Sequence, residues 1–83
     1  MPETIEVTVL LFAALRDIVG AERVTVRVPD ATPIGGIWSY VSGLADTEPP
    51  AALRYAVNHE WAQPDLPTRN GDQVAFVLPV SGG

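Results

Sequence analysis

Eighty-three residues, 47% hydrophobic and 18% charged, suffice for one globular domain and leave no room for a second. Ten acidic residues against five arginines and no lysine give a formal charge of −5, which repels phosphate backbones and argues against nucleic-acid binding. The absence of cysteine excludes a disulfide framework, a thiol nucleophile and any cysteine metal site, and no stretch approaches the roughly 20 apolar residues of a membrane helix.

The opening MPETIEVTVL carries acids where a secretory leader carries bases, so a cytoplasmic protein without a membrane partner is expected. Ile5 to Phe12 reads as a strand: Ile5, Val7, Val9 and Leu11 fall on one face, and Glu6, Thr8, Leu10 and Phe12 on the other. Ala13 to Val19 is short and helix-compatible, with Gly20 as its stop. Arg23 to Val28 alternates again and ends at Pro29-Asp30. Thr32-Pro33 predicts a helix start, with Thr32 as N-cap and Pro33 at the first helical position. Ile34, Ile37, Trp38, Val41 and Leu44 then keep helical spacing in one apolar stripe that Gly43 closes. Gly35 and Gly36 inside it each cost roughly 1 kcal/mol relative to Ala, so packing against a sheet must hold this segment.

Pro49-Pro50 marks a loop. Ala52 to Val57 becomes extended, Asn58-His59 reads as a hairpin turn, and Glu60 to Ala62 as a short strand. Asn70-Gly71 is a strong turn signal, and Gln73 to Leu78 is the last strand. Pro79 stops the ladder, which makes the chain one domain over residues 1–83 with a flexible tail at 79–83. One amphipathic helix on a mixed sheet is an α+β, ubiquitin-like architecture.

Catalytic constellations are missing from this pattern. His59 is the sole histidine, Gly35-Gly36 lacks the flanks of a phosphate-binding loop, and the carboxylates are scattered. No metal and no bound cofactor is expected, and the chain alone is not expected to be an enzyme. The informative feature is the end, Val80-Ser81-Gly82-Gly83. Extended, Pro79 to Gly83 reaches about 17 Å, enough to thread a channel while the domain docks outside. Glycine lets a partner's backbone approach closely, and the reacting atom would be the carboxyl carbon of Gly83. A carboxylate is a poor electrophile and needs activation, usually adenylation by a separate enzyme that uses ATP. On the sheet, Leu10, Phe12 and Val77 face away from the helix, and such an uncovered apolar cluster calls for a partner.

These motifs carry a resemblance. Leu11-Phe12-Ala13-Ala14-Leu15-Arg16-Asp17 is similar to the FFAxxRE opening of the MoaD family, the small subunits of molybdopterin synthase. Ala56-Val57-Asn58 resembles its central AVN, Asn70 to Phe76 its DGDEVAF, and Pro79-Val80-Ser81-Gly82-Gly83 its PPVSGG except at the first position. Asn70 stands for a usual acid, Leu78 for a usual proline, and the helix glycines are uncommon. The resemblance implies a β-grasp sulfur carrier with three kinds of partner. An E1-like adenylyltransferase adenylates Gly83, sulfur from a persulfide donor converts it to a thiocarboxylate, and the large, MoaE-type subunit receives the tail. There two such transfers build the dithiolene of molybdopterin from cyclic pyranopterin monophosphate. It further implies that Gly82 belongs with Gly83 to the reacting end, that Phe12, Trp61 and Val77 pack against the large subunit and the activating enzyme, that Arg16 near them pairs with a partner carboxylate, and that Pro79, Val80 and Ser81 contact the partner. A thiamin-pathway sulfur carrier, a modifier forming isopeptide bonds, and a plain β-grasp binding module are the alternatives.

Overall fold

The two-residue alternation of the sequence becomes a five-stranded mixed sheet in the computed structural model, which describes residues 3–79. In chain order the elements are β1 (Thr4–Leu11), α1 (Ala13–Val19), β2 (Arg23–Pro29), α2 (Ile34–Ile37), a 3-10 turn (Trp38–Tyr40), β3 (Arg54–Val57), β4 (Glu60–Ala62) and β5 (Gln73–Val77). The strand order is β2-β1-β5-β3-β4. β1 is antiparallel to β2 and parallel to β5, and β3 is antiparallel to both β5 and β4. This is the small α+β fold that the alternation and the single apolar stripe predict.

Alternation decides which side chains are buried. Ile5, Val7, Val9 and Leu11 of β1 meet Val74 and Phe76 of β5 and Val28 of β2 on one face. Ile34, Ile37, Trp38, Val41 and Leu44 cover that face, with Leu15 from α1 and Leu53 closing its ends. Phe76 sits at the centre, fully buried, with its ring 5.5 Å from that of Trp38 and in an edge-on contact with Tyr55 at 5.8 Å. Offset and edge-on aromatic pairs of this kind contribute about 0.5–1.5 kcal/mol beyond their buried area. The Trp38 indole N–H donates to Thr47 O and Oγ1, so its polar edge is satisfied as well.

The apolar stripe is correctly read, but the segment is not one α-helix. It makes one α turn, tightens to 3-10 at Trp38, and reaches extended geometry at Val41. Two glycines give the helix little intrinsic support, and burial of the stripe does not require regular geometry after the first turns. The cap also differs from expectation. Pro33, not Thr32, precedes the first helical residue, and the Thr32 hydroxyl donates backwards to Pro29 O. The freed amides of Ile34 and Gly35 donate instead to Leu66 O and Pro64 O, and Thr68, fully buried, donates through N and Oγ1 to Thr32 O. A distant loop thus does the work of the N-cap, which a local motif search cannot see.

That loop explains Gly35. A Cβ there would lie 3.1 Å from Pro64 Cβ and 3.2 Å from Pro64 O, whereas at Gly36 its nearest neighbour would be Thr32 Cγ2 at 3.4 Å. Gly35→Ala should therefore cost about 1–3 kcal/mol by overpacking, and Gly36→Ala should be close to neutral. Urea denaturation of the two variants checks this; equal effects would contradict the close approach.

The remaining turns lock the register. Asn58 and His59 both have positive φ, +50° and +74°, the pattern of a two-residue hairpin turn. Asn58 also clamps the next turn: Nδ2 donates to Asp72 Oδ1 and Oδ1 accepts from Gln73 N. Asn70 Oδ1 accepts from Glu6 N, tying that turn to β1. His59 gains no comparable bond from its left-handed backbone, so His59→Gly should raise stability by about 1 kcal/mol in thermal unfolding.

Candidate functional site

Where one face of the sheet is sealed by α2 and the segment after it, the other is uncovered, and the register sets its composition. Arg23 lies beside Leu10, Leu10 beside Ala75, Ala75 beside Ala56, and Ala56 beside Trp61, forming one row across all five strands. The next row towards the end of β5 pairs Val77 with Arg54. Leu10, Ala75, Ala56 and Val77 are half-buried by their neighbours, while Trp61 is 67% exposed and Phe12 is 53% exposed. The two large aromatic side chains left open on either side of this aliphatic strip give the face an exposed apolar character.

Phe12 reaches this face through backbone geometry. It continues the extended conformation of β1 (φ −124°, ψ 151°), and its carbonyl accepts from Leu15 N and Arg16 N at the start of α1. Ala13 turns the chain with a left-handed φ of +47°, a conformation costing an alanine about 1 kcal/mol. The sharp turn lets Leu15 enter the core while Phe12 stays outside. α1 then ends at Gly20, left-handed as expected, whose N–H donates to Arg16 O at 2.7 Å.

Arg16 joins Phe12 and Leu10 around a groove of about 370 Å³ that also includes Leu11, Glu22 and Arg23. Its Nε is 3.8 Å from Asp17 Oδ1, and both side chains are largely exposed, so the pair holds Arg16 weakly and leaves it available. A second groove of about 620 Å³ flanks the opposite edge of the face, between Pro49–Leu53 and Ala62–Pro64, with Arg54, Tyr55 and Trp61 on its wall. Burial raises the pKa of Tyr55, keeping its hydroxyl protonated.

The structure therefore brings Phe12, Arg16, Trp61 and Val77 to one surface. Exposed Pro79 leaves β5 at the Phe12 end, because β5 runs parallel to β1. Val80, Ser81, Gly82 and Gly83 lie outside the described residues. Sequence reasoning missed Ala56 and Arg54: a small or charged residue gives no patch signal until register puts it beside Trp61 or Val77. Among the described residues no group of three histidine, cysteine or carboxylate side chains is placed to hold a metal, and no helix is long and apolar enough to cross a membrane. What the arrangement offers is an open, partly apolar face with Pro79 at its edge.

Comparison with known proteins agrees on the architecture. The model of the ThiS family matches residues 9–83. The human molybdopterin synthase sulfur carrier subunit is 31% identical over 85 residues, covering 94% of each chain. Among solved structures, SAMP1 from Haloferax volcanii superposes with a TM-score of 0.75 at 27% identity, over 94% of this chain and 99% of that one. A structure of subunits 1 and 2 of the molybdopterin-converting factor from Helicobacter pylori in complex matches with a TM-score of 0.60 at 21% identity, over 95% and 100%.

The face assignment has a direct consequence for stability. Phe12→Arg and Trp61→Arg should change unfolding free energy by no more than about 0.5 kcal/mol, whereas Phe76→Ala should cost about 3–5 kcal/mol. Chemical denaturation of the three variants reads this, and unfolding of either arginine variant would return those side chains to the core.

Proposed function

The chain belongs to the ThiS family of small sulfur carriers and ubiquitin-like modifiers, and on that premise we propose that it is the sulfur carrier of molybdopterin synthase. In this reading Gly83 is adenylated by an E1-like adenylyltransferase at the expense of ATP. The persulfide sulfur of a donor then displaces AMP to form an acyl disulfide, a thiol reduces this to the terminal thiocarboxylate while the donor leaves in a mixed disulfide, and the sulfur is delivered to cyclic pyranopterin monophosphate in the large subunit. The carrier itself holds no ATP and catalyses nothing. Its task is to present one activated carbon.

The observation that carries the reading is the shared end of the sheet. Phe12, Arg16 and Val77 lie where β1 and β5 finish, and Pro79 starts the tail at that same end. Docking of the apolar face would fix the domain while Pro79, Val80, Ser81 and Gly82 reach inward to place Gly83. Holding a reacting carbonyl in one geometry is worth several kcal/mol of the barrier, which suits a carrier that brings position and stored activation but no acid or base. The human relative, itself a sulfur carrier subunit, supports the pathway, and the Helicobacter pylori relative is a subunit solved in complex with its second subunit.

The similarity to SAMP1, an archaeal modifier protein, favours a second reading in which the same adenylated Gly83 is joined to lysines of other proteins. This chain has no lysine, so it offers no side-chain amine for extending itself into a polymer.

One reaction separates the readings. Thiocarboxylated protein mixed with the large synthase subunit and cyclic pyranopterin monophosphate should form molybdopterin without added ATP, returning to the carboxylate form by intact mass. Deleting Gly83, or appending one residue, should abolish thiocarboxylate formation while leaving the fold unchanged. Thiazole formation with a thiazole synthase would move the assignment to the thiamin pathway, and stable lysine adducts as the main product would favour the modifier. Normal sulfur loading of an extended tail would sink the carrier reading.

A further inference from the structure

The uncovered face carries a charge pattern that its apolar strip does not explain. Arg27 is paired with Glu6 at 2.9 Å, and Arg69 lies in the turn before β5, both towards the end of the sheet away from Pro79. Arg16, Arg23 and Arg54 lie at the Pro79 end. Arg23 and Arg54 are exposed, and among the described residues neither side chain makes an ion pair or a hydrogen bond, although the chain carries ten acids. Glu22 shares a groove with Arg23 without pairing to it.

Their placement is geometric. Arg23 ends the row Leu10–Ala75–Ala56–Trp61 on one side, and Arg54 stands beside Val77 three strands away. At ~4.8 Å per strand and ~6.8 Å per two residues their Cα atoms are about 16 Å apart. Each borders a groove, Arg23 the one beside Phe12 and Arg54 the one beside Trp61. An apolar strip between two unpaired guanidiniums, each beside a socket, is complementary to a protein surface with an apolar centre and a carboxylate on either side.

Building on the carrier reading above, we propose that Arg23 and Arg54 are specificity contacts of the docking face, each receiving a carboxylate of the large synthase subunit on opposite sides of its apolar centre. Range decides which charges matter. At physiological salt the Debye length is about 8 Å, so the net charge of −5 is screened at a distance while two arginines inside the contact act at full reach. A guanidinium in a groove takes a carboxylate in a fixed fork geometry, which orients the docked domain and hence the tail. A homologous carrier without these arginines would leave the partner's carboxylates buried and unpaired, a penalty that discriminates against it.

The test uses the full-length carrier and the large subunit of the same organism, with association measured by stopped flow or biosensor at low and at raised salt. Arg23→Glu and Arg54→Glu should keep the thermal midpoint and each weaken binding by about tenfold or more, with Arg→Gln variants intermediate. Arg69→Glu makes the same change in net charge at the far end and should bind like the native protein. Charge reversal of one carboxylate on the large subunit should restore binding to Arg23→Glu, and of a different one to Arg54→Glu. Native-like affinity of both glutamate variants, or equal losses in Arg69→Glu, would overturn the inference and leave the carrier reading standing. Failure of the native carrier to bind the large subunit at all would overturn both.

Discussion

The parallel pairing of β1 with β5 is the constraint on which the rest of the molecule depends. Two strands running side by side in one direction finish at the same end of the sheet, so the segments after them must emerge together. After β1 comes Phe12, and after β5 come Leu78 and Pro79. Phe12 and Pro79 are therefore neighbours by topology, before any side chain is chosen. An antiparallel pairing of these two strands would have put them at opposite ends.

A parallel pair has no tight turn to set its register, so the register must be fixed elsewhere. Here side-chain hydrogen bonds do it. Asn70 holds Glu6 at the start of β1, Asp72 closes its own turn by accepting from Arg69 N, and Asn58 joins the β3–β4 turn to Asp72 and Gln73. A slip of one residue in β5 would send Phe76 to the open face and Ala75 into the core. These exposed turns thus protect both the packing around Phe76 and the composition of the open face, linking local turn chemistry to surface composition through register.

The two faces divide the labour of a chain too short to waste apolar surface. One carries Phe76, Trp38 and the aliphatics that hold the fold; the other leaves Phe12 and Trp61 in water, where they add nothing to the stability of the isolated domain. The left-handed Ala13 is a further local cost borne at the same place. At the Phe12 corner, backbone strain at Ala13 and an exposed aromatic side chain coincide, while Trp61 stands open at the opposite edge of the same face. Arg23 and Arg54, which make no ion pair among the described residues, border the same open face.

The sequence by itself determined the alternation of β1, β2 and β5, the apolar stripe from Ile34 to Leu44, the stop at Gly20 and the turns at Asn58-His59 and Asn70-Gly71. Each depends on residues within a few positions of one another, which is the range over which periodicity and turn propensity act. It also made Phe12 and Val77 legible as outward-facing, because parity along a strand needs no partner. Only the tertiary structure decided that α2 shortens to one turn, that the loop at Pro64–Thr68 caps it, and that Gly35 is required by the approach of Pro64. The same holds for the row that unites Arg23, Leu10, Ala75, Ala56 and Trp61, and for the placing of Arg54 beside Val77. Those features join residues as distant along the chain as Leu10 and Ala75. Strand order and register bring them together, and neither is written in any local stretch of the chain.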